Sequence, residues 1–158
     1  LLTSFYYDEI FGTVVNRFLV QALIGKPLTI YGSGSQKRGY LNIVDTLSCI
    51  KIACLNPPKN GEMKIYNQFT ETFSVSELAA KIKAAARKIN IHVEIEHKPN
   101  PRKEMESHYY KPNNSSLIKL GLSPTFLTEN VIREMFNILM PYKDLIKPTI
   151  IEKNILWE

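Results

Sequence analysis

One tetrapeptide, Ser74-Val75-Ser76-Glu77, constrains the fold of this 158-residue chain more than any other stretch. It reads as a capping box. The Ser74 hydroxyl can accept a first-turn N–H while Glu77 reaches back to the N–H of Ser74, so two orphan donors are satisfied together. Behind it Val75, Leu78, Ala79, Ile82, Ala85, Ala86 and Ile89 recur at helical spacing and mark one buried stripe. The period changes to two on both sides. Residues 62–68 alternate apolar and polar, as do Ile91, Val93 and Ile95 within 91–97, so strands are expected to flank the helix.

The rest of the chain extends this alternation. Phe11, Val14, Val15, Phe18, Leu19, Ala22 and Leu23 predict a helix over 8–24, ended by Gly25 and Pro27. Residues 28–31 read as a short strand, 32–35 as a glycine-rich loop and 39–44 as a second extended piece. Asp45 reads as the N-cap of a helix showing Leu47, Ile50, Ala53 and Cys54 on one side, stopped by Asn56-Pro57-Pro58. Three prolines make 99–112 a loop. A short helix over 113–120 ends at Gly121, and a last amphipathic helix over 128–140 turns Ile132, Met135, Phe136 and Leu139 inward, stopped by Pro141. The order implies an α/β class, or a mixed lobe that completes a larger sheet.

Apolar residues form 44% of the chain and charged residues 22%, the balance of a globular chain. The net charge of +5 is dispersed. Its densest set, Lys81, Lys83, Arg87 and Lys88, lies on the polar side of the capped helix, a solvated face rather than a nucleic-acid patch. Cys49 and Cys54 suit neither a disulfide nor a zinc site, and His92, His97 and His108 lack partners at ligand spacing. No apolar run is long enough to cross a bilayer and no signal-peptide pattern opens the chain, so a cytoplasmic location with no membrane or nucleic-acid partner is expected.

Chemistry-bearing motifs are few. Gly32-x-Gly34 lacks the third glycine and the helix start of a dinucleotide fingerprint, and no tyrosine has a lysine four residues on. No residue here reads as catalytic. An anion-binding inventory remains: Gln36 and Arg38 after the glycine-rich loop, Arg102 directly after Pro99-Asn100-Pro101, and Asn67 and Gln68 ending a strand. A guanidinium fork matches phosphate oxygens, and ligands of α/β sheets collect beyond the carboxyl ends of strands. Plainer readings stand beside these. Arg38 alone can be a solvated arginine, Arg102 can pair with Glu104 or Glu106, Asn67 can serve a turn, and Asn16 and Arg17 can be an exposed helix face. The residues alone reach an α/β piece able to bind a phosphorylated small molecule.

Several stretches together resemble a known family. They are Tyr7-Asp8-x-x-Phe11-Gly12-Thr13-x-x-Asn16-Arg17-Phe18, Pro27-Leu28-Thr29-Ile30-Tyr31-Gly32-x-Gly34-x-Gln36-x-Arg38-Gly39-Tyr40, Asn67-Gln68-Phe69-Thr70-Glu71-x-Phe73-Ser74-Val75, Pro99-Asn100-Pro101-Arg102-x-Glu104-x-Glu106-x-His108-Tyr109-Tyr110 and Leu120-Gly121-Leu122-x-Pro124. The chain resembles the C-terminal part of the extended short-chain dehydrogenase/reductases, the NAD-dependent sugar-nucleotide epimerase/dehydratase group, and within it the UDP-sulfoquinovose synthase branch. It departs from the family pattern at Asn42, Val44 and Lys111-Pro112.

The resemblance implies a C-terminal substrate-binding lobe of an extended Rossmann-type, doubly wound enzyme over residues 1–147, with a tail over 148–158. The NAD-binding Rossmann domain is then absent from this chain, which begins at Leu1 rather than Met. It implies conversion of UDP-glucose and sulfite to UDP-sulfoquinovose with bound NAD, in an enzyme that can be a homodimer. Asn16 and Arg17 would contact the nucleotide sugar, and Thr29, Ile30 and Tyr31 would flank the base. Gln36 and Arg38 would hold ribose or phosphate, Asn67 the diphosphate, Arg102 a phosphate and Glu104 a ribose hydroxyl. Three other functions fit the same motifs: another NAD-dependent sugar-nucleotide epimerase or dehydratase, a non-catalytic nucleotide-sugar-binding module, and a lobe pairing with a separately encoded Rossmann half. The isolated chain is expected to show no turnover.

Overall fold

A computed structural model describes residues 13–100 and 113–148. In chain order its elements are α1 (Val14–Leu23), β1 (Leu28–Tyr31), β2 (Lys37–Tyr40), α2 (Ile43–Leu55), β3 (Glu71–Ser74), α3 (Val75–Lys88), β4 (Ile95–Lys98), α4 (Ser115–Lys119), α5 (Glu129–Leu139) and a 3-10 helix (Met140–Leu145). They fall into two compact units.

The first unit takes the described residues up to Gln36, those from Ser74 to 100, and those from Thr128 onward. Its two strands pair in parallel, Leu28 opposite Ile95 and Tyr31 opposite Lys98. Helices α1, α3 and α5 pack on one another, and α1 and α3 pack on β1. Phe18, Leu19, Leu28, Ile30, Leu78, Ile82, Ile132 and Phe136 are fully buried there. Each such side chain contributes about 1.5–3 kcal/mol relative to exposure, which is what holds three short helices on four-residue strands. The capping box is present: Ser74 Oγ accepts Glu77 N–H at 3.2 Å, and Glu77 accepts Ser74 N–H at 2.7 Å. The next first-turn donor, Ser76 N–H, goes to the Gly34 carbonyl at 3.1 Å. Gly34 has φ +71°, and a Cβ there would strike Ser76 Oγ and the Ile30 side chain. The glycine is required by this close approach.

The second unit takes 37–73 and the described residues up to Leu127. Strands β2 and β3 pair, with the Tyr40 and Phe73 rings 5.8 Å apart. Cys49, Leu117 and Leu122 form its small core, with Ile52 and Tyr66 packed against it. Polar clasps do much of the remaining work. Asp45, only 2% exposed, accepts the Thr125 N–H and hydroxyl, both at 2.8 Å. Asn114 Nδ2 donates to the Phe69 carbonyl at 2.8 Å, and Glu71 accepts the N–H of Leu127. Helix α4 ends at Gly121 with φ +100°.

Several expectations need correction. The N-cap of α2 is Asn42, whose side chain accepts Val44 N–H at 2.9 Å. Asp45 sits within the first turn and is buried instead. The stripe of α2 expected to face inward is turned out: Leu47, Ile50 and Cys54 are exposed, and Asp45 and Cys49 lie on the buried side. Residues 62–68 form no ladder, although their sequence alternates as a strand does. The second extended piece is β2 at 37–40, and the last strand is shorter than 91–97 and begins at Ile95. Pro141 does not stop the chain's turning, because it enters a 3-10 helix where its missing N–H costs nothing.

Candidate functional site

In the first unit the fold gathers Arg17, Thr29 and Tyr31. Arg17 lies on α1, capped by Thr13, and Thr29 and Tyr31 lie on β1. Its Nη2 donates to the Thr29 carbonyl at 2.8 Å. Its carbon centre stands 5.2 Å from the centroids of both the Phe18 and Tyr31 rings. Such cation–π contacts contribute roughly 0.5–2 kcal/mol each. Gln21 completes the tie: its Nε2 donates to Thr29 Oγ1 at 3.1 Å, and its Oε1 accepts Thr29 N–H at 3.3 Å. Thr29 therefore has its hydroxyl, N–H and carbonyl engaged inside the unit. Ile30 is buried, Tyr31 is half-buried and Asn16 is exposed.

Beyond Tyr31 the chain turns through Gly32-Ser33-Gly34. Ser33 and Ser35 hydroxyls lie 2.8 Å apart, and His97 Nδ1 is 3.2 Å from the Gly32 carbonyl. Gln36 is half-buried, and its Oε1 is buried with no hydrogen-bond donor among the described residues. An unmet buried carbonyl costs about 1–3 kcal/mol. That makes Gln36 the residue of this unit with most to gain from a donor on a ligand.

The glycine-rich turn does not fit a dinucleotide pyrophosphate. A strand, β2, follows it in place of a helix, and the Gly34 carbonyl occupies a first-turn donor of α3.

In the second unit Arg38 is exposed on β2, with Nη1 donating to the Lys37 carbonyl at 3.0 Å. Tyr40 lies two residues on. Burial pushes its phenol up, and the Arg38 charge partly offsets this. Asn67 is exposed and its Nδ2 donates to the Asn113 carbonyl at 2.9 Å, which leaves its side-chain oxygen as the outward group. Arg102 and Glu104 lie outside the described residues. No group of three metal-ligating side chains occurs among the described residues, and no helix among them is long and apolar enough to cross a membrane.

The sequence did not single out Gln21. Its signal was available: a glutamine on the apolar side of a helix, one turn from Arg17, opposite a strand bearing a threonine.

Known proteins resemble this chain closely in sequence and in fold. No family model matches it. It is 44% identical over its whole length to the UDP-sulfoquinovose synthase of spinach, a chloroplastic protein, of which it spans 33%. It is 42% identical over 143 residues to the UDP-sulfoquinovose synthase of Sulfolobus acidocaldarius, spanning 36% of that protein. The chain thus spans about a third of the length of these relatives. In fold it resembles the UDP-glucuronic acid 4-epimerase of Bacillus cereus, solved with UDP-glucuronic acid and NAD, with a TM-score of 0.62 at 22% identity over 82% of this chain and 40% of that one. The architecture is thus the α/β one of the extended Rossmann-type epimerases and dehydratases.

Proposed function

We propose that this chain, a relative of the UDP-sulfoquinovose synthases, supplies the UDP-sugar side of an enzyme that converts UDP-glucose and sulfite to UDP-sulfoquinovose with bound NAD. The observation that carries the reading is the 44% identity to the spinach protein along the entire chain. The geometry is compatible with the following roles within it. Gln36 offers its unmet oxygen to a ribose hydroxyl, Arg38 its exposed guanidinium to a phosphate, and Asn67 its side-chain oxygen to the sugar nucleotide. Tyr31 presents a ring to the base, with Ile30 behind it. Arg17 and Thr29 hold that ring and strand in place from inside the unit. Asn16, Arg102 and Glu104 complete the nucleotide-sugar contacts by the family pattern. NAD, which the Bacillus cereus epimerase of like fold carries, is held by residues other than these, since the one glycine-rich turn here does not fit it.

Titration calorimetry with UDP-glucose tests the assignment. The wild-type chain is expected to bind weakly, and Arg38→Ala about tenfold more weakly or worse, the loss of one charge-assisted phosphate contact. Equal binding by the two removes Arg38 from the site. Turnover is tested with the spinach protein carrying this chain in place of its matching third, given UDP-glucose, sulfite and NAD. A product without sulfur would replace the sulfosugar reading with that of another sugar-nucleotide epimerase or dehydratase.

A further inference from the structure

The turn between Tyr31 and Gln36 is built on two glycines with positive φ, +68° at Gly32 and +71° at Gly34. Glycine takes either sign of φ at little cost, so such a turn has several shapes open to it. One shape is held here through three successive carbonyls. The Ser76 N–H donates to the Gly34 carbonyl at 3.1 Å, and the Ser76 hydroxyl donates to the Ser33 carbonyl at 3.4 Å. Both donors sit in the first turn of α3. The third carbonyl, that of Gly32, lies 3.2 Å from Nδ1 of His97 on β4. The Gly32 N–H donates to the Lys98 carbonyl at 2.9 Å, which seats the turn on the end of the parallel strand pair.

A carbonyl oxygen only accepts, so the contact requires a proton on His97 Nδ1. In the neutral ring Nε2 is then the bare nitrogen, because the bond made by one ring nitrogen sets the state of the other. The Gly32 carbonyl and the Ser33 N–H share one rigid peptide plane. Holding the carbonyl fixes the direction of that plane, and with it the path of the chain toward Gln36. Among the described residues, His97 is the side chain that holds this plane. Packing does not explain the residue: His97 is exposed, and its strand neighbours Glu96 and Lys98 pair with each other at 3.5 Å.

We propose that His97 is a positioning residue of the UDP-sugar site. By donating from Nδ1 to the Gly32 carbonyl it sets the turn that aims Tyr31 and Gln36. It touches no ligand itself and acts through the backbone. This role rests on the UDP-sugar reading of Tyr31 and Gln36.

Two substitutions separate the hydrogen bond from the ring. Asparagine can place Nδ2 near the position of the histidine Nδ1, so His97→Asn keeps a donor without the ring. His97→Phe keeps a ring without the donor. Titration calorimetry of the 158-residue chain with UDP-glucose compares them. His97→Asn is expected to bind as the wild type does, and His97→Phe about threefold to tenfold more weakly, the share of one neutral hydrogen bond. A ring that merely packs would give the reverse order. Both variants should keep the helix content of the wild type. In the wild-type chain at pH 8, nitrogen-15 spectra of the His97 ring should show the proton on Nδ1. A proton on Nε2 overturns the role, and this measurement needs no variant to fold. So does wild-type affinity in His97→Phe, or an equal loss in both variants. A wild-type chain that binds no UDP-glucose defeats the UDP-sugar reading and the role together; one that binds it but is unmoved by His97→Phe loses the role alone.

Discussion

Helices α2 and α3 have 13 and 14 residues and share a capped start, yet they do opposite things with their apolar side chains. Helix α3 buries Leu78, Ala79, Ile82, Ala85 and Ala86 on one stripe and leaves its lysines outside. Helix α2 buries Asp45 and Cys49 and leaves larger apolar residues in water. The first unit is held by volume, with Phe18 and Phe136 at its centre; the second is held by a small core and by hydrogen-bonded clasps. The difference lies in which side chains each helix buries: apolar volume in α3, and a carboxylate with a thiol in α2.

The contrast is broken or sharpened first by paired truncations. Phe136→Ala should cost about 3–5 kcal/mol in urea unfolding, the transfer loss plus a cavity. Leu47→Ser should change stability by no more than about 0.5 kcal/mol, as exposed positions do. A costly Leu47→Ser would show that the outward side of α2 is already covered. Next in size is the clasp. Asp45→Ala removes a buried acceptor from two Thr125 donors and should cost about 2–3 kcal/mol. The Thr125 amide should lose its exchange protection in the variant, while amides of α3 keep theirs.

The smallest effect concerns the two thiols of α2. Burial pushes the Cys49 thiol up, the Asp45 charge adds to this, and a backbone hydrogen bond partly offsets it. Cys54 is exposed. Iodoacetamide at pH 8 should label Cys54 readily and Cys49 far more slowly. The linkage sign follows from the raised value. Below the ordinary thiol range both folded and unfolded chains hold the Cys49 proton, and pH has no effect through it. As pH rises past that range the unfolded thiol ionises first, so stability falls. Cys49→Ala should flatten that alkaline decline, seen as a smaller drop in melting temperature between pH 8 and pH 10.

Legibility in the sequence followed how local the deciding physics was. The capping box of α3 and strand β1 were readable because each depends on residues close in sequence. Asn42 and Asp45 are both good caps, and an acid is also favoured within a first turn, so the start of α2 was placed three residues late. Which side of α2 faces inward was not readable, since apolar residues occupy both. Residues 62–68 carry the strand pattern, but a ladder needs a neighbour, and none stands beside them among the described residues. Of the candidate site residues, Gln36 and Arg38 were proposed by type and position, and the structure leaves Gln36 half-buried and Arg38 exposed. The internal role of Arg17 was not, because an arginine on the polar side of a helix gives no sign that its head turns back to a strand carbonyl twelve residues on.

The bond between Ser76 N–H and the Gly34 carbonyl has a topological meaning. Residues 37–73 leave the first unit just after Gly34 and return just before Ser76, so that bond, together with the Ser76 hydroxyl's bond to the Ser33 carbonyl and the β2–β3 pairing, draws the excursion shut at its base. A purse-string of this kind separates the length of what it encloses from the stability of what it joins. Doubling an enclosed loop costs only about 0.6 kcal/mol in closure entropy. Insertions and deletions within 37–73 therefore fall lightly on the three-helix body, while a side chain at position 34 would strike Ser76 and Ile30 and force the neck apart.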